Sequence, residues 1–117
     1  MRTRPLATVL LTLTMTLALA GCGGGGGGSA ADQAPVSGVT TVKLQNLQFK
    51  PPVIKVPVGA KVTWSFDDGS VPHNVVGPGF KSETMDSGTF EHTFTSAGTV
   101  DYRCDLHTNM KGKVIVG

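Results

Sequence analysis

The residues most able to do chemistry lie together near the C-terminus, in Tyr102-Arg103-Cys104-Asp105-Leu106-His107-Thr108-Asn109-Met110. Reduced to its donors, this stretch is Cys-x-x-His-x-x-Met, a thiolate, an imidazole and a thioether. These donors are soft or borderline, the set that suits copper. Zinc prefers a tetrahedron of Cys, His or carboxylate and seldom takes a thioether. A type 1 (blue) copper site needs two His, one Cys and a weak axial Met. The segment therefore lacks one imidazole. His73, in Ser70-Val71-Pro72-His73-Asn74-Val75, is the natural candidate. Met85 is a rival axial donor or a core side chain. His92 shares a face with Phe90 and Phe94 and reads as a strand histidine.

Positioning those donors requires a rigid frame, and the local patterns are those of strands and turns. Lys61-Val62-Thr63-Trp64-Ser65-Phe66 alternates cleanly, with Val62, Trp64 and Phe66 on one face. Thr41 to Leu44, Leu47 to Phe49, Val53 to Val56, Thr89 to Thr95, Val100 to Cys104 and Lys113 to Val116 read as further strands, and Val71 to Val76 as extended chain. Pro57-Val58-Gly59, Asp67-Asp68-Gly69-Ser70 and Gly77-Pro78-Gly79 read as turns or loops. The chain has no amphipathic helix of useful length. The expected fold is an all-β, Greek-key sandwich of about seven or eight strands, with Trp64 in its core. Tyr102, two residues before Cys104, is placed like the tyrosine corner of such sandwiches.

Not all of the 117 residues can belong to that frame. Met1-Arg2-Thr3-Arg4 is a basic start, and Pro5 to Ala20 is apolar or small without charge, which together form a signal peptide over residues 1–21. Leu19-Ala20-Gly21-Cys22 resembles a bacterial lipobox, which implies cleavage before Cys22 and diacylglycerol on its sulfur. Residues 22–38, with an unbroken glycine run from Gly23 to Gly28, read as a flexible tether with a reach of roughly 20–24 Å. Residues 39–117 form one small domain, a size at which a bound metal is a useful staple. Each of the two cysteines has a separate job, so no disulfide is expected. Ten Lys and Arg face eight Asp and Glu, but Arg2 and Arg4 belong to the leader and the mature chain is formally neutral. Nothing in that balance points to nucleic acid.

At this point the chain resembles the cupredoxins, small blue copper proteins of the plastocyanin, pseudoazurin and amicyanin group. Three segments carry the resemblance: Ser70-Val71-Pro72-His73-Asn74-Val75, Met85-Asp86-Ser87-Gly88-Thr89-Phe90, and Tyr102-x-Cys104-x-x-His107-x-x-Met110-Lys111-Gly112-x-Val114. The resemblance implies that His73 and His107 supply imidazole nitrogens to one copper ion, Cys104 the thiolate and Met110 the long axial thioether. The short spacing between His107 and Met110 is similar to that of amicyanins. It also implies that Asn74 ties the two ligand loops together beside Pro72. Relatives often carry Ser or Thr, then Pro, where this chain has Asp105-Leu106. Asp105 is therefore the expected partner of the Asn74 amide, and its charge should favour Cu(II). His107 is the expected exposed edge for electron exit, ringed by an apolar patch of Leu106, Pro72, Pro78 and Phe80.

These expectations describe a monomeric, single-electron carrier with one copper, lipid-anchored outside the cytoplasmic membrane, in the periplasm or at the cell surface. Its partners would be a cytochrome, a copper oxidase or reductase, or a dehydrogenase. An extracytoplasmic copper-delivery protein is the alternative, but many Met or His residues would favour it, and outside the leader only Met85 and Met110 remain as methionines. An enzyme of the copper nitrite reductase or oxidase kind would need further His-rich sites, and the chain has three His in all.

Overall fold

The computed structural model of the chain describes residues 30–117. The expected signal peptide, Cys22 and the glycine run lie outside those residues. A 3-10 turn, Ala30–Asp32, precedes ten strands. They are β1 (Val36–Ser37), β2 (Thr41–Gln45), β3 (Gln48–Lys50), β4 (Val53–Val56), β5 (Lys61–Asp67), β6 (Val76–Gly77), β7 (Phe80–Lys81), β8 (Ser87–Thr93), β9 (Gly98–Arg103) and β10 (Lys111–Val116). One sheet has the order β1-β4-β10-β9-β6-β7 and the other β3-β2-β5-β8. β4 runs parallel to both β1 and β10, and β2 runs parallel to β5, while β9–β10 and β5–β8 are antiparallel. Non-sequential neighbours of this kind are what Greek-key connections produce in a two-sheet sandwich.

The alternation read in β5 is the core of the molecule. Val62, Trp64 and Phe66 are buried, and the intervening residues face outward. Trp64 is the hub between the sheets, stacked on Phe80 at 5.8 Å and edge-on to Tyr102 at 5.3 Å. Such ring pairs add about 0.5–1.5 kcal/mol each beyond the area they bury. His92 is half-buried and stacks on Phe80 with centroids 4.4 Å apart, the strand role expected of it.

Four features differ from the sequence reading. The fold starts ahead of residue 39, because Val36–Ser37 pairs with β4 through backbone groups that need no apolar side chains. Leu47 lies in a two-residue hairpin turn rather than a strand. Asn46 and Leu47 both have positive φ, 54° and 57°, the conformation that a tight hairpin of this length demands. Phe80 is buried rather than part of a surface patch. Gly77 makes that possible, since a Cβ there would come within 2.3 Å of the Phe80 ring. Tyr102 forms no tyrosine corner. Its hydroxyl has no hydrogen-bond partner among the described residues, and its ring lies instead over Gly112 against Phe49.

Candidate metal centre

Two loops bring the donors together. The β9–β10 hairpin ends in a loop of residues 104–110 that carries Cys104, His107 and Met110. The Cys104 N–H donates to the Met110 carbonyl and the Met110 N–H to the His107 carbonyl, each at 3.0 Å. Those two bonds close the loop on itself, so the short spacing is enforced by backbone geometry. His73 comes from the segment between β5 and β6. It is fixed by a pair of 2.9 Å backbone bonds with Met85, His73 N–H to Met85 carbonyl and Met85 N–H to His73 carbonyl. Met85 thus serves His73 through its backbone, and its side chain packs against the core.

The geometry fits a single shared ion. Cys104 Sγ lies 3.8 Å from His73 Nδ1 and 3.6 Å from His107 Nδ1. Metal–nitrogen and metal–sulfur bonds of about 2.0 and 2.3 Å, meeting at roughly 110–120°, hold their donors roughly 3.5–3.7 Å apart. His73, Cys104 and Met110 are buried and His107 is half-buried. A buried thiol, a buried imidazole and a half-buried one converge here, and a single soft or borderline metal ion satisfies all three.

The surroundings fix these ligands. His73 Nε2 is 2.8 Å from Asp68 Oδ2. The hydrogen bond from His73, followed by that from the Leu47 N–H, holds the Asp68 carboxyl below the usual carboxylate range. The contact with Asp68 on the Nε2 side turns the Nδ1 side of the ring toward the sulfur. Asn74, also buried, joins the loops as expected. Its Oδ1 accepts from the Asp105 N–H at 2.8 Å, and its Nδ2 donates to Asp105 Oδ2 at 3.4 Å. The Asp105 carboxylate does not act on the site alone, because Arg103 Nε at 3.1 Å and Lys81 Nζ at 3.7 Å oppose its charge. Ser82 braces the same segment, accepting from the Val75 N–H at 2.8 Å.

Of the patch expected around His107, Leu106, Pro72 and Pro78 are exposed. Phe80 is not, for the packing reason given above. Sequence reasoning also missed Asp68, Ser82 and the two cations on Asp105. Asp68 sits in Asp67-Asp68-Gly69-Ser70, whose composition is that of any turn.

Fold and donor set together define a small β-sandwich copper protein of the type 1 kind. The chain belongs to the family described as copper binding proteins, plastocyanin/azurin family, whose profile matches residues 36–117. It is 36% identical over 95 residues to amicyanin-alpha of Methylorubrum extorquens, spanning 74% of this chain and 78% of that protein. A solved structure of an amicyanin variant in its reduced Cu(I) form superposes with a TM-score of 0.62 at 34% identity, over 77% of this chain and 90% of that one. A copper-containing nitrite reductase from Thermus scotoductus gives a TM-score of 0.60 at 26% identity, but the match takes in 78% of this chain and 24% of the reductase. The likeness to that enzyme is therefore one to a single domain within it.

Proposed function

We propose that the protein is a single-electron carrier with one type 1 copper, tethered outside the cytoplasmic membrane through a lipid on Cys22. The observation that carries the reading is the convergence of Cys104 Sγ on two imidazole Nδ1 atoms, at 3.6 and 3.8 Å, inside a rigid sandwich. Copper bound there supplies a Cu(II)/Cu(I) couple. His73 is held by the sandwich and by Asp68, Cys104 by the Met110 carbonyl, the adjoining Asp105 by Asn74, and the 104–110 loop by its own backbone bonds. Ligands fixed in this way need little rearrangement when the charge on the ion changes. Burial of three of the four donors favours a retained ion over a delivered one.

Half-buried His107, with Leu106, Pro72 and Pro78 exposed, offers a small apolar contact for brief docking to a redox protein. Such a partner would be a cytochrome, a copper oxidase or reductase, or a dehydrogenase at the same membrane. The carrier itself catalyses no reaction and works as a monomer.

The test is an absorption spectrum of the oxidised, copper-loaded protein. An intense visible Cys-to-Cu(II) charge-transfer band that bleaches and returns through one-electron cycles is expected. Cys104→Ser should abolish the band and the cycling together. Copper lost readily to a weak chelator would favour delivery instead. The anchor is tested separately, by whether Cys22→Ala moves the protein from the membrane to the soluble fraction.

A further inference from the structure

Asp68 joins two parts of the molecule that are far apart in sequence. One of its oxygens, Oδ1, accepts the Asn46 N–H at 3.0 Å. The other, Oδ2, accepts the Leu47 N–H at 3.0 Å and faces His73 Nε2 at 2.8 Å. Asn46 and Leu47 form the tip of the β2–β3 hairpin, and both are left-handed. That conformation is uncommon for leucine, which has a branched side chain and no local hydrogen bond to offer. The tip therefore turns two adjacent amides toward one carboxylate. His73 is fully buried, and the Asp68 side chain is 13% exposed.

We propose that Asp68 is a positioning residue for the copper ligand His73, held in place by the hairpin tip. The carboxylate fixes the ring so that Nε2 bears the proton and Nδ1 faces Cys104. It also raises the basicity of the ligand and places a negative charge in contact with it, which favours the more highly charged Cu(II). Asparagine cannot substitute. All three donors need an acceptor, and an amide would turn its NH2 toward at least one of them. The proposal rests on the copper reading above.

The experiment uses the full chain and two readouts. In the metal-free wild-type protein, nitrogen-15 NMR of the His73 ring should show a single Nε2–H tautomer with a slowly exchanging proton. In Asp68→Asn and Asp68→Ala, Cu(II) should bind about 10–100-fold more weakly, the loss usual when such a partner is removed. If Cu(I) binding is spared, that loss converts to a reduction potential higher by roughly 60–120 mV, at about 59 mV per tenfold for one electron. A mixed or Nδ1–H tautomer in the wild type overturns the proposal, whether or not the variants fold. So do folded Asp68 variants with wild-type affinity and potential. If wild-type protein fails to give the visible band, the electron-carrier reading falls, and the metal-free tautomer still decides the role of Asp68.

Discussion

Adding one methyl group at Gly112 tests how the fold holds its metal ligands, without touching any of them. A Cβ at Gly112 would lie 2.3 Å from Tyr102 Cζ and 2.4 Å from its hydroxyl. Carbon atoms in contact rest about 3.5–4.0 Å apart, so the ring must retreat by roughly 1 Å or more. Tyr102 is 2% exposed, with Phe49 edge-on at 4.7 Å and Trp64 at 5.3 Å. Overpacking of this kind costs about 1–3 kcal/mol. In a domain this small each kcal/mol lowers Tm by about 4–8 °C, so Gly112→Ala should melt roughly 4–24 °C below wild type. The damage should also reach the site. Gly112 and Tyr102 are register partners on β10 and β9, and the next residues outward lead to Met110 and Cys104. The copper-loaded variant should therefore show a weakened or shifted visible band in step with its lower Tm. Calorimetry and a double-mutant cycle with Tyr102→Leu check the cause. Once the ring is gone, Gly112→Ala should destabilise far less than in the wild type. Additive losses would refute the steric account.

Phe80→Ala should lose about 3–5 kcal/mol in urea unfolding, as for a core aromatic. Leu106→Ala should stay within about 0.5 kcal/mol of wild type yet slow electron transfer to a partner in stopped-flow traces; the reverse pattern would return Phe80 to the surface. Asp105→Asn leaves Arg103 and Lys81 unopposed beside the site, so voltammetry should show a higher reduction potential, and a value equal to or below wild type would remove this carboxylate from the tuning of copper. Burial pushes the Tyr102 hydroxyl above its ordinary pKa of 10.0. The folded state then holds its proton more tightly than the unfolded chain, so stability is unaffected below pH 10 and falls as pH rises above it. Urea midpoints should decline on that limb in wild type and decline less in Tyr102→Phe.

How much of this was legible in the chain depends on how local each signal is. Cys104, His107 and Met110 can be read directly because one hairpin loop carries them all. His73 lies far from the other donors in the chain and was reached as the donor missing from a copper set and through the likeness of Ser70-Val71-Pro72-His73-Asn74-Val75 to a ligand segment of the family. Trp64 and its strand were legible because strict alternation has one physical meaning. Phe80 was not, because β6 and β7 are two residues each and too short to alternate. Its direction is set by the space left at Gly77. Asp68 was invisible as well. Its role exists only when the hairpin tip and His73 meet across the fold, twenty-one residues from Leu47 and five from the histidine.

The parallel pairing of β1 with β4, and of β4 with β10, fixes where the N-terminal segment leaves the domain. All three strands begin at the same end, and β10 begins directly after Met110. Ala31 sits there, lining a pocket with Asp101, Tyr102, Arg103, Lys111 and Gly112. The described chain thus enters the domain at the end of the sheet that carries Met110 and not at the opposite pole. A tether through Cys22, as proposed above, would therefore hold the domain by its copper-ligand end.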